Sequence, residues 1–67
     1  MSTWNYRVLQ HEGSLAIYAV HYDEHDKPSS CTERPSYPAG TTVEELQQDV
    51  KRYLQALNEP TLNYSDF

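Results

Sequence analysis

The chain is short of most of what an enzyme or a secreted domain needs. It has one cysteine, Cys31, so no disulfide can form within it. A lone thiol fits a reducing compartment, and the expected location is the cytosol. It has two glycines, Gly13 and Gly40. That is too few for the phosphate-cradling loops of P-loop or dinucleotide-binding proteins. No G-x-S-x-G elbow is present. The longest largely apolar run, Leu15 to Val20, is far too short to span a bilayer. The opening residues, Met1 to Arg7, lack the apolar core of a signal peptide. Basic residues are few: five Lys and Arg stand against ten Asp and Glu, a net charge of −5. Direct nucleic-acid binding is disfavoured, because phosphate recognition needs clustered cations. The acidic balance suits solubility, or the binding of a basic partner.

With 67 residues there is room for one domain, 1–67, and one modest core. Such a chain buries only about 60% of its unfolded surface. A single core of this size supplies roughly 3–5 kcal/mol, and small proteins commonly add a disulfide, a metal or a partner subunit.

Alternation from Trp4 to Gln10 puts Trp4, Tyr6 and Val8 on one side, a strand pattern over 4–10. Leu15 to Tyr22 is apolar on both sides for most of its length, which marks a central strand over 15–22. The short link His11-Glu12-Gly13-Ser14 joins the two as an antiparallel hairpin. Asp23 to Pro28 is a polar loop. A third strand is expected over 29–34, short and at an edge because Pro28 and Pro35 bracket it. Thr42-Val43-Glu44-Glu45 is a capping box opening a helix over 43–57. Val43, Leu46, Val50, Tyr53, Leu54 and Leu57 form its apolar stripe, expected to cover the sheet. Asn58 and Pro60 stop the helix. The tail 61–67, with Leu62, Tyr64 and Phe67, either docks on the sheet or moves freely. The expected fold class is α+β: a three-stranded antiparallel sheet followed by one C-terminal amphipathic helix, in the order β-β-β-α.

No residue set demands chemistry. His21, Asp23, Glu24, His25 and Asp26 hold metal-ligating groups within six residues. Histidines four apart face together on a helix, not across a turn. The loop also lacks the EF-hand spacing for Ca²⁺. A solvated turn is the favoured reading, with no metal and no cofactor expected. Cys31 sits mid-strand with no helix N-terminus beside it in sequence, which favours a structural thiol over a nucleophile. A carboxylate pair for acid–base work cannot be chosen without geometry. So small a chain also has difficulty forming the ~300 Å³ pocket of a small-molecule site. No catalytic residue is assigned, and the protein is expected not to be an enzyme.

The aromatic residues are the richest feature. Interfaces favour Tyr and Trp, and so do small cores that leave the polar ends at the rim. Both readings stand open. Because one helix covers one sheet face, the other is expected to be the uncovered one. Trp4, Tyr6, Tyr18, Tyr22 and Tyr37 are the candidate interaction surface.

Trp4-Asn5-Tyr6-Arg7-Val8, Tyr22-Asp23-Glu24, Thr32-Glu33, and the Glu44-Glu45-Leu46 helix running to Glu59-Pro60-Thr61-Leu62 resemble a family of small uncharacterised bacterial proteins. That resemblance implies the β-β-β-α order and carries no activity. The junction Gly40-Thr41-Thr42-Val43-Glu44-Glu45-Leu46, continuing to Tyr53-Leu54, is similar to that of HicB-like antitoxin domains over about a third of the chain. The leading expectation is a non-enzymatic protein-interaction module, homodimeric through a sheet face or edge. The alternative is an acidic inhibitor, antitoxin-like, that neutralises a basic nucleic-acid-binding partner.

Overall fold

The hairpin forms as its pattern requires. The computed structural model describes residues 3–67; Met1 and Ser2, which begin the expected domain and the start read for a leader, lie outside the described residues. Strand β1 (Thr3–His11) pairs antiparallel with β2 (Ser14–Tyr22) along the full length of both. Glu12 and Gly13 make the two-residue turn, with φ of 51° and 79°. Two left-handed residues match the right-handed twist of the flanking strands, and Gly13 adopts that conformation without cost.

The third strand is shorter than expected and starts earlier. β3 covers Pro28–Cys31, not 29–34, and pairs antiparallel with β2 across an irregularity at His21/Tyr22. Pro28 takes the first position of an edge strand, where a missing N–H is tolerated. Beyond Cys31 the chain still follows β2. The Thr32 amide donates to the Ala19 carbonyl (3.0 Å) and the Ser36 amide to the Ile17 carbonyl (2.8 Å). Four residues on the edge thus span two on β2. Glu33, Arg34 and Pro35 bulge outward, which is why regular pairing stops.

Helix α1 (Val43–Ala56) begins at the predicted cap. The Glu45 amide donates to Thr42 Oγ1 at 3.1 Å. The Glu45 carboxylate reaches one residue further back than a standard capping box, to the Thr41 amide (2.9 Å) and hydroxyl (2.7 Å). These bonds from Thr41 hold the Glu45 carboxyl below its ordinary range. A Cβ on Gly40 would fall 2.7 Å from the Leu46 amide nitrogen, so only glycine lets the connector cross the helix start this closely. The last turn tightens, with amides of Leu57, Asn58 and Glu59 donating to carbonyls three residues back.

The tail is ordered and changes the topology. Leu62–Asn63 form β4, parallel to β1 at Leu9 and Gln10, and Tyr64–Asp66 form a 3-10 turn. The order is therefore β-β-β-α-β, and the sheet runs β3-β2-β1-β4. The α+β class with a helix late in the chain stands; the helix is followed by a docked strand.

Two layers flank the sheet. The β1–β2 register puts Trp4, Tyr6, Val8, Leu15, Ile17 and Ala19 on one side and Arg7, Leu9, Tyr18, Val20 and Tyr22 on the other. α1 lies on the first side. Tyr6 and Tyr53 stack at 4.3 Å between ring centroids, and Tyr6 Oη donates to Asp49 Oδ1 at 3.3 Å. The tail covers the second side. Leu9 and Val20 are fully buried there and Tyr18 nearly so, with Leu62, Tyr64 and Cys31 packed against them. The face expected to be open is thus the better covered one.

Candidate interaction surface

The helix does not use its apolar stripe to dock. Its two buried residues are Tyr53 and Ala56. Asp49, one turn earlier on the same line, binds the Ala39 amide through Oδ2 (3.0 Å) and lies 4.0 Å from Arg52. Of the predicted stripe only Tyr53 is inside. Val43 (67%), Leu46 (39%), Val50 (39%), Leu54 (57%) and Leu57 (63%) stay exposed. Residues Asp49, Tyr53 and Ala56 sit about a quarter-turn away from the middle of that stripe. The stripe was legible; its assignment to the sheet was not correct. The docking line at i, i+4 and i+7 was the available signal, masked by the charge on Asp49.

Beside the helix, the same side of the sheet is half open. A shallow groove of about 420 Å³ runs between α1 and β2, lined by Val8, Leu15, Ile17, Tyr37, Tyr53 and Leu57 among others. A second depression of about 520 Å³ lies on the helix itself, lined by Val43, Leu46 and Val50 with Gln47 and Lys51. Leu15 (65%) and Tyr37 (79%) are exposed with it. Exposed apolar side chains thus occur both along the helix and beside it on β2 and the connector. Scattered single leucines need no explanation; five exposed apolar residues on one side of a single helical segment are more than that.

The five aromatics expected to form one surface are divided by the sheet. Trp4 and Tyr6 are on the helix side, edge to face at 5.2 Å. Tyr18 and Tyr22 are on the tail side, where Tyr64 stacks against Tyr18 (5.6 Å) and His11 (4.0 Å). Tyr37 stands alone on the connector, highly exposed. Of the five, only Tyr37 lines the groove between α1 and β2, while Trp4 and Tyr6 line a separate hollow with Arg52 and Ala56 of α1.

On the tail side, Arg7 acts as a clasp. Its guanidinium is buried and donates to Tyr22 Oη (2.8 Å) and to the Pro60 carbonyl (2.8 Å), while Tyr22 Oη donates to Asn5 Oδ1 (2.8 Å). Charge-assisted bonds of this kind are the strong ones, and they fix the chain just ahead of β4. The Tyr64 hydroxyl adds a contact to the Glu33 carbonyl at 3.4 Å.

The remaining titratable groups are spread out. Asp23 Oδ1 accepts from the His25 and Lys27 amides (2.8 and 3.0 Å), which accounts for the β2–β3 loop locally. Among the described residues no three His, Cys, Asp or Glu side chains gather as a metal site. Burial pushes the Cys31 thiol up, away from the thiolate that nucleophilic chemistry needs. Burial also pushes the Tyr53 hydroxyl up to about 12, with Tyr6 beside it adding to the shift. The Tyr53 oxygen is buried and makes no bond of good geometry; the Tyr6 proton goes to Asp49. Acids fall on every part of the fold: Glu12 at the β1–β2 turn, Asp23, Glu24 and Asp26 before Lys27, Glu33 before Arg34, Glu44 and Glu45 at the helix start, Asp49 beside Arg52, Glu59 after the helix and Asp66 in the tail. No helix among the described residues is long and apolar enough to cross a membrane. Comparison with protein families, curated proteins and solved structures finds no match for the chain.

Proposed function

We propose that the chain is a non-enzymatic protein-interaction module that binds through the outward face of α1 and the groove beside it. One observation carries this reading: four apolar residues of α1 and its C-cap Leu57 remain 39–67% exposed although the helix is docked on a sheet. A helix whose stripe served only the fold would bury it. The small core gives a reason to recruit a partner, since added burial offsets the shortage in the single chain. The lone Cys31 is consistent with work in a reducing cytosol.

The acidic-inhibitor alternative, with its antitoxin-like helix junction, would be supported by acids gathered on one face. Their dispersal favours an apolar contact instead.

The test is comparative capture. Tagged wild-type chain and a Leu46→Lys/Leu54→Lys variant are each expressed with an untagged wild-type copy, and everything retained is quantified. Both positions are exposed, so the variant should keep its circular dichroism. Proteins held by the wild type and lost at least tenfold by the variant are the expected result. An identical retained set, or none from either, would overturn the reading.

A further inference from the structure

We infer that the occupant of the α1 face is a second copy of this chain, docked helix to helix in antiparallel order about a two-fold axis at Val50. The inference rests on the reading of that face as a contact surface and names its partner. Its first support is the spacing of the exposed residues. Val43, Leu46, Val50, Leu54 and Leu57 are separated by three, four, four and three positions. That series reads the same in both directions from Val50. A two-fold interface is self-complementary: residue i meets residue j, and j meets i. An antiparallel copy therefore brings Val43 against Leu57, Leu46 against Leu54, and Val50 against Val50. Small valines at the axis permit the ~8–10 Å approach of packed helices, and the leucines fill the space on either side.

The second support is charge. The stripe residues are uncharged and the only charged residue lining the depression over them is Lys51, so a chain of net −5 can meet its own copy there without placing carboxylates face to face.

Sedimentation of the full chain across a concentration series should show a species of twice the 7.8 kDa chain mass at high concentration. Val50→Lys should shift it to the single-chain mass throughout, with unchanged circular dichroism. A covalent trap fixes the geometry. In a Cys31→Ser background, Val50→Cys should oxidise to a linked dimer. Val43→Cys with Leu57→Cys should do the same, and Val43→Cys alone should not. Equal linking by Val43→Cys alone would overturn the antiparallel order. A chain that is monomeric at every concentration, while the Leu46→Lys/Leu54→Lys variant still loses a captured protein, would overturn the second copy and leave the contact surface standing. A dimer indifferent to Val50→Lys and to the Leu46→Lys/Leu54→Lys variant would overturn both.

Discussion

The two faces of the sheet are covered in opposite ways. On one, a fourteen-residue helix docks through Tyr53 and Ala56 and leaves four of its apolar residues and its C-cap Leu57 outside. On the other, a two-residue strand and one 3-10 turn complete the burial of Leu9, Tyr18 and Val20. The smaller element seals the denser core. It does so because the tail is held at fixed points, by Arg7 on the Pro60 carbonyl and by β4 on β1. The difference teaches that element length is a poor guide to where stability lies. The tail side has the features of a core, and the helix side keeps much of its apolar surface exposed.

Paired truncations should break or sharpen that comparison. Leu9→Ala removes a fully buried side chain and should cost about 3 kcal/mol, most of what a domain of this size has. Leu54→Ala, at 57% exposure, should change the stability of the dilute single chain by no more than about 0.5 kcal/mol. Thermal melts followed by circular dichroism read both; equal losses would erase the contrast.

Tyr53→Phe probes the one aromatic that truly anchors the helix. The buried hydroxyl gains no good hydrogen bond, so its removal should be neutral or stabilise the fold by up to about 1 kcal/mol. The pH behaviour follows from the raised pKa. The folded chain keeps this proton to about 12, whereas the unfolded chain releases it near the ordinary tyrosine value of about 10. Between those values the unfolded state binds fewer protons, so stability falls as pH rises. Tyr53→Phe should lessen that alkaline loss in denaturant titrations from pH 9 to 12, and an unchanged alkaline slope would contradict the assignment.

The smallest effect concerns the helix start. Glu45 has a lowered pKa in the folded chain because of its bonds from Thr41. Its contribution is complete above the ordinary glutamate value of about 4.3 and is lost as pH falls through and below it. Glu45→Gln should flatten the acid limb of a melting-temperature profile, and an unaltered limb would show that the fully exposed carboxylate contributes nothing.

Much of the fold was legible. The first hairpin shows in period-two spacing, and the helix start shows in Thr42 and Glu45, whose bonds span only three residues. β4 was not legible, because Leu62-Asn63 is too short for periodicity to register and pairs with residues over fifty positions away. The clasp was hidden for the same reason: Arg7 reads as an outward strand residue until Pro60 is brought beside it. For the candidate surface, the stripe on α1 was visible but the partner assigned to it was wrong. Hydrophobic periodicity reports that a face is apolar and says nothing of what covers it.

The sequence by itself determined that the first two segments are extended, where the helix starts, and which of its residues lie on one side. These depend on local backbone preference and on spacing of a few residues. Only the tertiary structure decided that the tail closes one sheet face and that the helix turns its stripe outward. Both outcomes depend on contacts between residues distant along the chain, Arg7 with Pro60 and Tyr6 with Tyr53, which no local pattern encodes.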